Sequence, residues 1–129
     1  DGTAGNIGIK NSNPSTLLDI TGSLELDGMI DINRTTADTI SSNTITATRS
    51  NHRLETQNSV ALDSISTING ACNGCILVLT DVSSSRDVTL LDGIGNLQLA
   101  GDLAITGAGD YIILISDGTN WYEISRSNN

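Results

Sequence analysis

Two cysteines, Cys72 and Cys75, are the residues best suited to covalent chemistry, because they are spaced as C-x-x-C. In thioredoxin-like proteins this spacing supports thiol–disulfide exchange, but it needs a strand–helix–strand context that the surrounding sequence lacks. A structural zinc site normally needs four ligands, whereas the chain offers two cysteines and one distant histidine. We therefore expect a turn leading into a buried strand, with Cys75 packed as a small apolar residue or the two thiols joined in a local disulfide.

The single histidine, His52, is the other candidate for chemistry. A general base needs an acid or a hydroxyl held within reach, and Ser50 and Glu55 are neighbours only in sequence. If three chains met at an axis, three copies of His52 could ring it and bind a metal ion. Because a lone histidine flanked by arginines is usually solvated, we predict an exposed side chain, no metal site and no cofactor.

The acidic residues are numerous but do not form an evident catalytic pair. Glycoside hydrolysis needs two carboxyl groups about 5–10 Å apart in a cleft. Asp27, Asp92, Asp110 and Asp117 instead fall in predicted turns, where carboxylates accept backbone hydrogen bonds. We predict that the protein is not an enzyme and has no catalytic residues; a depolymerase would require acids from neighbouring chains to converge.

Trp121 and Tyr122 carry most of the aromatic surface. Aromatic rings stack on sugars and anchor interfaces, so both residues are candidates for binding. Trp121, however, begins the last predicted strand directly after a turn. We therefore expect it to pack at the end of a β domain or between chains.

The composition restricts the class of protein. The 129 residues include 15 acidic and 6 basic side chains, for a net charge of −9, and no Lys/Arg cluster, so neither nucleic acid nor an anionic membrane is an expected partner. No apolar run reaches the ~18 residues that cross a bilayer, and no secretory signal is visible. Since the sequence opens with Asp1, we expect a fragment or a processed product. With 2 % aromatic residues and no Phe, we also expect other copies of the chain to complete the core.

The first forty residues repeat a short apolar-x-apolar unit separated by turn formers, which is typical of brief β-strands. Three chains meeting around an axis would bury all of these pairs, although a single-chain meander has the same pattern. We assign residues 1–57 to a slender trimeric β shaft, of the β-helix or β-spiral kind, and a connector. The trimer core candidates are Ile7, Ile9, Leu18, Ile20, Leu24, Leu26, Ile30 and Ile32.

Fuller strands follow in residues 58–129. The apolar runs 76–79 and 112–115 are typical of strands covered on both faces, and turn signals recur between strands every eight to twelve residues. A small β-sandwich or barrel is therefore predicted for this half. Helical patterns are nearly absent; the nearest, over 49–62, is weak. The fold class is all-β.

Two parts of the sequence resemble known fibre proteins. Residues 6–24, with Asn6-Ile7-Gly8-Ile9 and later Leu18-Asp19-Ile20, resemble the NxGIGTxxPxxxLDVxGxL segment of bacteriophage tail fibres and some large bacterial surface proteins. The blocks 65–70, 74–79, 95–101 and 117–126, the last reading DGTNWYEISR, resemble a C-terminal β domain of phage tail and head fibres. Cys72 and Cys75 depart from that pattern.

The resemblance implies a homotrimeric, non-enzymatic virion structural protein that takes part in host attachment on the virion exterior. Its expected partners are other virion proteins on the N-terminal side and a host surface glycan or protein receptor. Two alternatives stay open: a capsid-decorating head fibre, and a bacterial cell-surface adhesin or scaffold with the same shaft repeat. Because fibre families diverge most at receptor-contacting loops, no binding residue is carried over.

Overall fold

The computed structural model describes residues 5–34, 37–107 and 109–127. It confirms the all-β prediction, with 47 % of residues in strands and 2 % in helix. The chain divides into two units, Asp1–Asp31 and Ile32–Asn129. No described helix has the length and apolar character needed to cross a membrane.

The first unit contains two of the predicted strands, β1 (Ile7–Ile9) and β2 (Leu18–Ile20), which pair in parallel. The loop between them is fixed by Asp19, whose Oδ2 accepts hydrogen bonds from the Ser15 N–H and hydroxyl, both at 3.0 Å. Gly8 allows the loop to pass close, because a Cβ there would collide with the carbonyl oxygen of Asn11. Turn chemistry therefore sets the register of this pair.

The predicted strands over 24–26 and 30–32 are absent, since no residue between 21 and 34 belongs to a strand. A strand is defined by hydrogen bonds to a neighbour, and no described segment of the chain pairs with either stretch. Their leucines and isoleucines are exposed instead of buried.

In the described part of the second unit there are eleven strands and one short 3₁₀ helix. The 3₁₀ helix is Gln57–Ser59. The strands are β3 (Asp38–Thr39), β4 (Thr44–Thr46), β5 (Asn51–Glu55), β6 (Leu62–Ile65), β7 (Thr67–Asn69), β8 (Asn73–Asp81), β9 (Asp87–Leu90), β10 (Leu97–Gln98), β11 (Leu103–Ile105), β12 (Tyr111–Asp117) and β13 (Trp121–Ser127).

Parallel pairing stacks these strands into about three solenoid-like turns. β3 lies beside β5 and β5 beside β8, while β4 pairs with β7 and β6 with β9, all in parallel. Thr44 is paired with Thr67, Leu62 with Asp87 and Asn51 with Val78, which are 23, 25 and 27 residues apart. The coils that these three pairs enclose therefore take about 25 residues each, whereas Asp38 and Leu54 of the β3–β5 pair are 16 residues apart. Corresponding strands lie one above another.

Antiparallel strands close the stack at its C-terminal end. β11 pairs with β9, β12 with β8, and β13 with β12, all antiparallel. The six-stranded sheet that contains β8, β12 and β13 then ends with β10, which pairs in parallel with β13. The change of direction covers edges of the last coil that would otherwise present unpaired N–H and C=O groups.

The unit boundary at residues 31 and 32 differs from the predicted boundary at 57 and 58. Within the range assigned to the shaft and connector, β3 and β5 belong to the same six-stranded sheet as β8. Their parallel partners are distant in sequence, so the local composition of this Thr- and Ser-rich stretch does not reveal the pairing.

One continuous core fills the second unit. Among the described residues it is built from fifteen apolar residues, one directly after β3 and the others in strands β4 to β13: Ile40, Ile45, Leu54, Ile65, Ile68, Leu77, Leu79, Val88, Leu90, Leu97, Leu103, Ile105, Ile112, Leu114 and Trp121. Within the apolar runs 76–79 and 112–115, buried and more exposed residues alternate. The prediction that both faces of these strands are covered is therefore wrong for the single chain.

A column of hydrogen bonds runs through one corner of the stack. The Ser66 N–H donates to the Asn43 carbonyl at 2.9 Å, Asn96 N–H to Ser66 at 3.2 Å, and Trp121 N–H to Asn96 at 2.8 Å. The Asn96 side chain also imitates a strand: its Oδ1 accepts from Ile68 N–H and its Nδ2 donates to the Ile68 carbonyl, both at 2.9 Å. The corner therefore satisfies its backbone groups where regular pairing stops.

Replacing Asn96 by Ala should lower the free energy of unfolding by about 2 kcal/mol, because the Ile68 N–H loses its acceptor inside the protein. Urea unfolding followed by tryptophan fluorescence measures the change. Gln98→Ala is the matched control, since Gln98 is exposed two residues further along. Equal midpoints for the two variants would contradict this role of Asn96.

Candidate functional site

Cys72 and Cys75 form a disulfide at the start of β8, with their Cα atoms 5.3 Å apart. The Cys75 N–H donates to the Cys72 carbonyl at 3.0 Å, so the bridge encloses a tight turn. Cys75 is partly buried against the core, whereas Cys72 is exposed. Both thiols are consumed in the bridge, which locally restrains the first residues of a core strand.

His52 is completely buried, with 0 % of its surface exposed, so the prediction of a solvated side chain is wrong. Its Nε2 accepts hydrogen bonds from the N–H groups of Thr48 at 3.2 Å and Arg49 at 3.0 Å. Its Nδ1 pairs with the Asp38 carboxylate. The ring thus joins the first two coils.

The engagement of both ring nitrogens within the chain leaves neither for a metal ion on an axis between copies. Within the described ranges, no group of three His, Cys, Asp or Glu side chains is arranged to hold a metal. The environment of His52 is therefore that of a structural residue that satisfies two backbone donors and one carboxylate.

His52→Ala should lower the free energy of unfolding by about 3 kcal/mol, since two N–H groups lose their acceptor and Asp38 loses its partner. His52→Gln keeps an acceptor on a side chain of similar reach and should lose clearly less. Urea titrations of both variants at neutral pH give the comparison. If His52→Ala and His52→Gln proved equally stable, the hydrogen bonds from the Thr48 and Arg49 N–H groups would not contribute to stability.

Three of the four predicted turn aspartates hold turns through hydrogen bonds. Asp117 Oδ1 accepts from the N–H groups of Thr119 at 2.8 Å and Asn120 at 2.7 Å, and the N–H of Asn120 is the leading reason that the pKa of Asp117 is lowered. Asp92 accepts from Leu99 N–H at 2.7 Å, and Asp110 from Thr106 N–H at 2.9 Å. Asp27, the fourth, lies on an exposed bend.

Glu123 and Arg126 fasten the chain before β11 onto β13. Arg126 Nε donates to Glu123 at 2.6 Å, and this hydrogen bond is the main reason that the pKa of Glu123 is lowered. Glu123 also accepts from the Ala100 N–H at 2.9 Å, and Arg126 donates to the Gly101 carbonyl at 2.8 Å. The pair is thus engaged in structure.

Asp81, at the end of β8, is a buried carboxyl group that the sequence analysis did not identify. Only 5 % of its surface is exposed, and its Oδ2 has no hydrogen-bond partner in the described part of the chain. Burial raises its pKa, with further contributions from the charges of Asp110 and Asp87, while Arg53 opposes the rise. The sequence signal, one acid ending a long apolar run, is weak.

The raised pKa of Asp81 predicts a specific pH dependence. Because the folded protein holds this proton more tightly than the unfolded chain, its contribution makes stability fall as pH rises from the ordinary value of 3.8 through the raised one. Asp81→Asn should therefore be more stable than the wild type at neutral pH, and the difference should shrink toward pH 3.8. Urea unfolding across this range measures it.

Asp117→Asn serves as the control of opposite sign. Because the pKa of Asp117 is lowered in the folded protein, its ionised carboxylate stabilises the fold at pH values above the ordinary pKa of 3.8, and this stabilisation is lost as the pH falls. If the wild type were as stable as Asp81→Asn at every pH, the raised pKa of Asp81 would not be a source of the pH dependence.

A polar cavity of about 380 Å³ opens beside Asp81 in the second unit. It combines two guanidinium groups, three hydroxyls and one carboxyl. Its lining residues are Arg34, Arg53, Thr80, Asp81, Val82, Ser83 and Ser84.

The first unit has an unusual apolar surface, which we call the unit 1 apolar set. Its members are between 49 % and 100 % exposed: Ile7, Ile9, Leu17, Leu18, Leu24, Leu26, Met29 and Ile30. Six of them are trimer core candidates; of the other two candidates, Ile20 is half-buried and Ile32, in the second unit, is 42 % exposed. So much exposed aliphatic surface in one short segment is typical of a protein interface.

A second apolar surface covers the outer face of the sheet formed by β8, β12 and β13. Ile115 is paired with Ile76 on one side and with Tyr122 on the other, so three exposed side chains lie in one row. Ile113 and Val78 are paired in the neighbouring row. Trp121, in contrast, is buried as expected and donates through Nε1 to the Ile68 carbonyl at 3.1 Å.

Comparison with protein-family models, with curated proteins and with solved structures finds no match to this chain. The two apolar surfaces and the polar cavity are therefore the features from which a function is inferred.

Proposed function

We propose that this chain is a structural protein of a bacteriophage-like fibre or spike, a homotrimer on the virion exterior that takes part in host attachment. The observation that carries the proposal is the unit 1 apolar set, whose eight large side chains no described part of the chain covers. They belong to the segment that resembles fibre shafts. A second and third copy would supply the missing partners.

The energy at stake is substantial. A Leu or Ile side chain gains about 2 kcal/mol on full burial, so partial burial of eight would contribute on the order of 10 kcal/mol per copy before the costs of association. The stretches 24–26 and 30–32, which lack strand partners in the single chain, would gain them between chains. An intertwined shaft accounts for both features.

The second unit fits the distal part of such a fibre. Solenoid-like coils extend by repetition, and the antiparallel strands β11 to β13 close one end. The exposed row of Ile76, Ile115 and Tyr122 adds a second surface for contacts between copies. Affinity for a host would then arise from equivalent weak contacts repeated over three copies.

The structural role is favoured over an enzymatic one because the turn carboxylates of Asp92 and Asp117 already accept backbone hydrogen bonds. Hydrolysis of any polysaccharide in a panel of host polysaccharides would favour the depolymerase alternative instead. A capsid-decorating protein and a bacterial surface adhesin keep the same trimer. Electron microscopy of labelled particles separates tail from capsid, and the presence of neighbouring capsid and tail genes separates a virion protein from an adhesin.

Leu24→Asp should break the trimer, because it places a charge in the apolar set at each of three equivalent positions. The wild type should have a mass of about 40 kDa, three times 13.4 kDa, and the variant a mass of 13.4 kDa. Light scattering coupled to size exclusion measures both.

Ser23→Asp is the matched control, since it adds the same charge at the neighbouring exposed position and should remain trimeric. A wild-type chain that is a stable 13.4 kDa monomer at high concentration would overturn the trimeric fibre.

A further inference from the structure

The polar cavity of the second unit lies where β8 ends, and several residues that line it carry polar atoms without a hydrogen-bond partner in the described residues. Arg53 Nε, Thr80 Oγ1 and Asp81 Oδ2 are buried atoms without a hydrogen-bond partner in the described residues. Buried polar groups are nearly always paired in folded proteins. All three atoms belong to residues that line this one cavity, and a turn of each side chain toward the cavity would offer its polar group to a polar molecule there.

The cavity also concentrates positive charge in an acidic protein. The chain has six basic residues and a net charge of −9, and two of the six, Arg34 and Arg53, line this one cavity. Arg53 is held in place by a hydrogen bond from Nη2 to the Val82 carbonyl at 3.2 Å. Arg34 has no hydrogen bond or ion pair to any other described residue. Guanidinium groups in this situation bind carboxylates well.

The remaining lining groups suit hydroxyls. The hydroxyl groups of Ser83, Ser84 and Thr80 can donate or accept hydrogen bonds. Asp81 is 5 % exposed, and its carboxyl group can bind a hydroxyl group directly. The volume of about 380 Å³ lies at the lower end of small-molecule sites, which span roughly 300–1,000 Å³. A space of this volume accommodates one sugar ring.

We propose that this cavity binds a carboxylate-bearing sugar residue of the hexuronic acid class, with Arg34 and Arg53 on the carboxylate and Asp81 and Thr80 on ring hydroxyls. The inference goes beyond the proposed function and does not rest on it, since every lining residue belongs to the second unit of one chain.

Titration of the whole chain with sodium glucuronate, followed by ¹H–¹⁵N NMR and by calorimetry, tests the proposal. Glucuronate should bind with a Kd of about 1 mM, and glucose, which lacks the carboxylate, at least tenfold more weakly. Acetate, which lacks the ring, should also bind at least tenfold more weakly. A glucuronate-containing oligosaccharide tests whether the residue is recognised within a glycan as well as free.

Arg34→Gln and Arg53→Gln should each weaken glucuronate binding at least tenfold, while Arg49→Gln, an exposed arginine outside this cavity, should leave it unchanged. Arg34 has no hydrogen bond or ion pair to another described residue, so its variant should keep the wild-type unfolding midpoint. The proposal is overturned if neither glucuronate nor the oligosaccharide binds, if glucose or acetate binds equally well, or if Arg34→Gln binds as tightly as the wild type. The mass of the same sample is measured in parallel, so failure of the trimer and failure of the cavity site are separate outcomes.

Discussion

Hydrogen bonding between successive coils is the constraint on which the second unit depends. A coil of about 25 residues has no stable partner within itself, so each short strand relies on the coil before and after it. At the corners, where strands end, the backbone groups still need partners. Asn96 provides them by pairing with both backbone groups of Ile68, and Trp121 adds a donor from its ring. A polar side chain and an aromatic ring thus continue the stack where the strand ladder stops.

The same geometry explains why polar groups are buried in this protein. Parallel stacking places each inward position of one coil above that of the next, so a polar residue in such a position cannot reach water. His52 is accommodated because the Thr48 and Arg49 N–H groups and Asp38 surround it. Asp81 is not fully accommodated, and its pKa is raised by burial. His52 is thus held by groups of the first two coils, whereas the Asp81 carboxyl group lies beside the polar cavity.

The two proposed roles, contact between copies and ligand binding, belong to different parts of the molecule: the first to an apolar surface and the second to a charged cavity. The unit 1 apolar set offers aliphatic surface for contact between copies, with Glu25 and Asp27 beside it in sequence, whereas the polar cavity gathers two arginines in a chain of net charge −9. Three copies would carry −27, which favours solubility and limits unspecific adhesion to anionic surfaces. Carboxylate-bearing ligands would therefore be attracted only locally, at the arginines.

The features that depend on near neighbours follow from the order of the residues alone. Alternation and turn formers placed β1 and β2 at their observed bounds, assigned Asp92, Asp110 and Asp117 to turns, and made helix improbable. Other features depend on residues far apart in the chain and emerge only in the folded molecule: the parallel coils, the burial of His52 and the cavity at Asp81. Parallel partners leave no local pattern, because the turn between them is replaced by a whole coil. For the same reason the sequence assigned residues 1–57 to a shaft and connector, although β3 and β5 lie in the six-stranded sheet.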